Sequence, residues 1–488
     1  MRFSSLGRWI PIVPVILQKR QTVLSLLLCC FAIFASLWYQ GGAYLHAESA
    51  AFFLNYLKSN NLFKAMFDFQ TFDYGWGYQG RELSHFFDGL DAYFLFLSWK
   101  LGFVHFYSLF HFLVVIQICV TFLKKSKVHY GDSHYPIALL LVLLFLTAPA
   151  EFLGGVYFRS SKIGVAGMIM YTAWWLIGQY QARKPLTVVQ AAYLSLLLFC
   201  TSWLDIQGFI IGAILGLVLG FRAFFSRART DTLLATGALV GLILSRVYFK
   251  VVGPAIMNLI WGVKPSFEKT QLGSLRSYIE TKNLRNSGNL LLDHFGYLFG
   301  SLDLYTNKWL FPHAQISSAA VISLLVCFLI FFVTVYKKNQ QAFFSRENLV
   351  NYFPCVAAVS FACGLYAMYI VMVKTFHPVL WDDVRLVYYC LPVHSLLLFF
   401  MGYVLFRLQN RWPDSTKSIV LVLLCLLGAN LWSIPRQAQV AWGGYLKELK
   451  WLENGPVLRA CMTKREIPPA VFKLSALNQS VCEYVREN

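Results

Sequence analysis

Long apolar stretches broken by short polar connections run through almost the whole chain. A helix that crosses a bilayer needs about 17 to 25 mostly apolar residues, and eleven stretches reach or approach that length: 23–39, 92–123, 135–153, 163–181, 186–203, 208–225, 232–251, 316–336, 352–373, 386–406 and 419–434. The second is long enough to be tilted or to begin as an interfacial helix. The first has basic flanks like a secretory signal, but no small-x-small cleavage site stands beside Trp38 and Tyr39, which predicts a retained anchor. The pattern therefore predicts an all-α polytopic membrane protein of about eleven spans. Residues 1–434 form one membrane unit and 435–488 a small outer tail.

The basic residues supply the orientation. Arg2, Arg8, Lys19 and Arg20, then Lys124, Lys125 and Lys127, Arg183 and Lys184, Arg222, Arg227 and Arg229, Lys337, Lys338 and Arg346, and Arg407, Arg411 and Lys417 fall in every second connection. The positive-inside rule then puts the amino terminus in the cytoplasm and the carboxyl terminus outside. With 58% hydrophobic and 13% charged residues and a mean hydropathy of +0.56, the soluble globular class is excluded. The net charge of +19 belongs to these loops and implies no nucleic-acid partner. Gly212, Gly216 and Gly220, with Gly237 and Gly241 in the next run, form small-xxx-small faces for close helix packing. Cys461 and Cys482 share the outer tail, where a disulfide and two free thiols are both open readings.

Soluble-enzyme motifs such as a phosphate loop, a dinucleotide fingerprint or paired CxxC are absent, so chemistry is sought on the outer face. The connection 41–91 holds Glu48, Asp68, Asp73, Glu82, Asp88 and Asp91 with Arg81 among them. Glu48 follows His46 just beyond the first run and has no lysine or arginine within nine positions, so an ion-pair role is disfavoured there. Glycines at 75, 77 and 80 allow an irregular backbone, and Trp76 and Tyr78 offer flat faces on which sugar rings stack. Asp88 and Asp91 sit near Arg81 and His85, and an ion-pair and cap cluster at a helix start accounts for them as readily as catalysis does. The last outer connection carries Lys374, His377, Trp381, Asp382, Asp383 and Arg385, then Tyr388, Tyr389 and Pro392. An outward arginine breaks the sidedness rule and suits a phosphate. Arg159 with Lys162, and Asp205 in the Trp203–Gly208 turn, could line the same cavity.

These features together resemble the GT-C class of integral-membrane glycosyltransferases: about eleven helices, an acidic first outer connection, an Arg385-x-x-Tyr388-Tyr389-x-x-Pro392 entry into a late helix, and a small outer tail. His46-Ala-Glu48 is similar to the class's His-x-Asp-Glu context but has Ala47 where an acid often stands. Gly80-Arg81-Glu-Leu-Ser84 resembles the Gly-Arg-x-Leu segment of bacterial lipid-linked glucosyl transferases. The resemblance implies a sugar donor on a polyprenyl phosphate, and a glycan, lipid or protein acceptor on the outer, periplasmic face of a bacterial inner membrane, with the endoplasmic reticulum as the other setting. Glu48, Asp73 and Arg385 would be catalytic. His46, Trp76, Tyr78, Arg81, Glu82, Asp88, Arg159, His377, Asp382, Asp383, Tyr388 and Tyr389 would bind substrate. No cofactor is required, although a divalent cation (Mg or Mn) at Glu48 and Asp73 is compatible with the class. Two other readings stay open. A lipid or polysaccharide transporter would need charges at the bilayer midplane or repeated halves, which the runs lack apart from Arg246 and Glu151. A lipid-linked glycan polymerase or ligase would use Arg276 and Arg285 in 252–315, a segment otherwise suited to an interfacial cap.

Overall fold

The computed structural model describes residues 61–67, 78, 80–102, 108–147, 160–181, 185–262, 391–411, most of 416–431, 460–461 and 476–487, with 53, 54 and 56. These residues are helical and contain no β-strand. In chain order the helices are α1 (Leu62–Met66), α2 (Glu82–Lys100), α3 (Leu109–Tyr130), α4 (Tyr135–Leu146), α5 (Ser160–Gln181), α6 (Val188–Leu204), α7 (Ile206–Ser226), α8 (Arg229–Val247), α9 (Gly253–Trp261), α10 (Leu391–Arg411) and α11 (Ala476–Glu487).

Local chemistry sets most of these boundaries. Ser108 caps α3 by accepting from the His111 backbone N–H at 2.9 Å. Thr187 and Gln190 form a reciprocal capping box at the start of α6, satisfying two of the N–H groups that a first turn leaves open. Asp205 both ends α6 and caps α7, its carboxylate accepting from the Gln207 N–H at 2.9 Å. Arg227, in the left-handed region at φ 52°, turns the chain between α7 and α8. A π-helical turn, Tyr248–Val252, carries α8 into α9 without a break.

Short turns reverse the chain between α3 and α4, between α6 and α7 and between α7 and α8, and the bundle has two chemically different ends. One end gathers Lys124, Lys125 and Lys127 of α3 with Arg222, Arg227 and Arg229 of the α7–α8 turn, and the final turns of α10 hold Arg407 and Arg411. Gln409 of α10 donates to the Ser133 carbonyl between α3 and α4 at 2.9 Å, which fixes α10 in this sense. The other, acidic end collects the starts of α3, α5 and α7 and the ends of α6 and α8. Helix α2 lies across that end, because Arg81, Glu82, Asp88 and Asp91 along it meet Asp205, Trp203, Ser160 and Ser108 in turn.

Three helical segments are long and apolar enough to cross a membrane among the described residues: Leu109–Tyr130, Ile206–Ser226 and the continuous Arg229–Trp261. The 92–123 run is two helices rather than one tilted span. Helix α2 stops at Leu101 and Gly102 (φ 86°), and Ser108 starts α3 afresh. In the 135–153 run the described helix is Tyr135–Leu146, 12 residues, ending at Thr147, and 148–153 lie outside the described residues. The runs 23–39, 316–336 and 352–373 lie outside the described residues.

Packing follows the glycine spacing. A Cβ on Gly237 would stand 2.5 Å from the Ala191 carbonyl oxygen and one on Gly241 2.7 Å from that of Ser195, so α8 rests directly on the α6 backbone. Ser195 donates to the Gly237 carbonyl at 2.7 Å across the same seam. The main apolar core joins α2, α3, α4, α5 and α10 around Ile118, Phe122, Phe145 and Phe406. Helix α11 adds Val481, Cys482 and Val485 to it, and a disulfide joins Cys482 to Cys461.

Candidate functional site

The first turn of α2 is seated at the acidic end by two glycines. Gly80 has φ 65° and its α-carbon faces the Phe249 ring, which a Cβ would meet at 2.8 Å, so only glycine brings the chain this close. Tyr78 stacks on Phe249 with ring centroids 5.5 Å apart, and its hydroxyl rests against Gly253, where a methyl group would collide with it. That hydroxyl donates to Glu82 Oε1, and Trp203 Nε1 donates to Glu82 Oε2 at 3.0 Å. Tyr248 faces the same carboxylate. Burial pushes the Glu82 carboxyl above the usual range, and the donors around it offset this only in part. Burial and then the neighbouring Glu82 charge push the Tyr78 hydroxyl far up, so it stays a donor.

Arg81 turns the other way. Its Nε lies 3.2 Å from Asp205 Oδ2, and Lys162 Nζ donates to the same oxygen at 2.7 Å. Lys162 and Asp205 are 1% and 0% exposed, which makes this a buried group of two cations on one carboxylate. Burial alone would raise the Asp205 carboxyl, but Arg81, Lys162 and the hydrogen bonds outweigh it and hold the pKa at about 2. Asp88 accepts from the Ser160 N–H at 2.7 Å and thereby satisfies the start of α5, while Ser160 Oγ donates to the Ser84 carbonyl at 2.8 Å. Asp91 does the same for α3, accepting from the Ser108 hydroxyl and from the Phe110 N–H at 2.9 Å. Asp88 and Asp91 thus serve as caps for helices that begin beneath α2, where the helix dipole favours negative charge.

Beside this polar seam opens a cleft. Its walls are Gly80 from the α2 approach, Phe199, Ser202 and Trp203 of α6, Ile206 and Phe209 of α7, and Ser245, Arg246, Tyr248 and Phe249 at the end of α8. Arg246 is exposed, with its Cζ 5.8 Å from the Phe209 ring centroid and 5.6 Å from that of Phe249. The lining is aromatic with one cation, a combination that small-molecule sites commonly use.

Four of the residues expected to bind substrate can be located. Tyr78, Arg81, Glu82 and Asp88 come together at the acidic end, but none lies on the cleft wall. The reason is physical: a carboxylate or guanidinium at a crowded helix junction meets an opposite charge or an open backbone N–H before it meets solvent. Here they brace the cleft. Glu48, Asp73 and Arg385, together with His46, Trp76, Arg159, His377, Asp382, Asp383, Tyr388 and Tyr389, lie outside the described residues. Among the described residues no group of three His, Cys, Asp or Glu side chains could hold a metal ion. Tyr248, Phe249, Phe199 and Phe209 were not singled out by the sequence, since aromatics within an apolar run read as core; Trp203 next to Asp205 in a two-helix turn was the available signal. Comparisons with family models, curated proteins and solved structures found no match for this chain.

Proposed function

We propose that this chain is an integral-membrane glycosyltransferase of the GT-C type, moving a sugar from a polyprenyl phosphate to a glycan, lipid or protein acceptor on the outer face of a bacterial inner membrane. The observation that carries the reading is the aromatic cleft with its arginine, which opens at the bundle end where the acidic first connection docks through Tyr78, Glu82 and Asp88. Further support comes from the sided charge of the bundle, which under the positive-inside rule agrees with that end facing outward. The exposed apolar surface of α7 and α8, including Leu217, Phe221, Leu239 and Ile243, suits contact with lipid.

In this reading Glu48 takes the proton of the acceptor hydroxyl as its oxygen attacks the anomeric carbon. The bond from that carbon to the phosphate oxygen breaks, and Arg385 stabilises the departing phosphate. Asp73 orients the acceptor; if a divalent cation takes part, Glu48 and Asp73 would hold it and it would supply charge stabilisation. The phosphate is already a fair leaving group, so positioning and charge account for most of the work. Purified protein supplied with a synthetic polyprenyl-phosphate sugar tests the reading. Transfer should fall roughly 10²–10⁴-fold in Glu48→Gln and about 10²–10³-fold in Arg385→Ala. Undiminished transfer in both variants removes the mechanism, and no transfer by the native chain with any donor removes the function.

A further inference from the structure

We infer that the cleft at the acidic end is a binding site for the phosphate head of a long-chain lipid, with Arg246 as its anion partner. This deepens the sugar-transfer reading by giving the lipid phosphate a residue of its own, separate from Arg385. The buried cations of this end already share a carboxylate: Arg81 and Lys162 both meet Asp205. Arg246 differs. It is exposed on the cleft wall, it contacts the Phe209 and Phe249 rings, and among the described residues no carboxylate pairs with it. Rings against a guanidinium leave its in-plane N–H groups free to donate, and two parallel donors match a phosphate better than a point charge does.

The lipid half of the ligand follows from what lies below the arginine. Leu239 and Ile243 precede Arg246 by seven and three positions on one face of α8, and they are 57% and 52% exposed. A chain whose head sits on Arg246 therefore has an apolar stripe to follow along the helix, within a segment long and apolar enough to cross a membrane. The cleft opens at the end of α8, so a lipid seated by its head has that stripe as the path for its tail. Two sources share this chemistry, a polyprenyl phosphate carrier and a bilayer glycerophospholipid.

The full-length protein in uncharged detergent is the material for the test. Binding is measured for a polyprenyl phosphate, the matching polyprenol, phosphatidic acid and inorganic phosphate. The native chain should bind a phosphate-bearing lipid at least about tenfold more tightly than the polyprenol. Arg246→Ala should lose that difference, and Arg246→Lys should keep part of it. Preference for the polyprenyl phosphate identifies a carrier site, and preference for phosphatidic acid identifies a bilayer head-group site. Equal binding of polyprenol and its phosphate overturns the inference without any variant, as does unchanged affinity in Arg246→Ala. Inorganic phosphate bound as tightly as the lipids overturns the lipid half. Arginine-dependent binding without sugar transfer leaves this site standing while the glycosyltransferase reading fails.

Discussion

At the residue scale, the acidic end separates two kinds of buried carboxyl. Asp205 answers two cations and is charged; Glu82 meets neutral donors and has its pKa raised by burial. Removing the first charge leaves Arg81 and Lys162 uncompensated, so Asp205→Asn should cost about 3–5 kcal/mol in unfolding experiments. Glu82→Gln keeps an acceptor for Trp203 and removes a charge that burial disfavours, so its change should stay within about 1 kcal/mol. The pH response has a definite sign. The folded Asp205 pKa of about 2 is below its ordinary value, so its contribution is complete above pH ~4 and is lost as pH falls toward 2. Acid titration of stability should show about 2 kcal/mol of loss over that window, absent in Asp205→Asn. Part of this was legible beforehand. A capping role was one open reading of Asp88 and Asp91, but at the start of their own helix, whereas they lie inside α2 and cap α5 and α3; Arg81's partner was not legible, because Asp205 lies more than a hundred positions away.

At the scale of elements, glycine spacing distinguishes seams from surfaces. Gly237 and Gly241 press on the α6 backbone, whereas nothing stands within 4 Å of a Cβ on Gly220, although all were marked by the same small-xxx-small pattern. Gly237→Ala should therefore destabilise by roughly 1–3 kcal/mol through overpacking, and Gly220→Ala should stabilise by up to about 1 kcal/mol through helix propensity. Thermal unfolding of the pair in one detergent checks both. The pattern alone could not separate them, since it records where a helix is narrow but not which neighbour arrives there. The split of run 92–123 has the same origin. Hydropathy sees continuous apolar character from 92 to 123, but the positive φ at Gly102 and the Ser108 cap divide it.

At the scale of the whole molecule, α11 and Cys461 pack into the main core and are joined to each other by a disulfide across a 21-residue separation. Reduction, or Cys461→Ser with Cys482→Ser, should lower stability by about 3 kcal/mol and loosen the tail first, read as faster amide exchange in α11 than in α3. The sequence by itself determined helical class, the places where apolar runs change to charged turns, the concentration of basic residues in alternate connections and the close-packing glycines. These follow from short-range rules, hydrophobic period and side-chain size, that any segment carries alone. Only the tertiary structure decided that α2 lies across the bundle end, that Arg81 and Lys162 share Asp205, and that Trp203, Arg246 and Phe249 wall one cleft. Those outcomes depend on which distant groups meet at a helix junction: burial forces Arg81, Lys162 and Asp205 to partner one another, whereas the exposed Arg246 at the cleft has no carboxylate among the described residues.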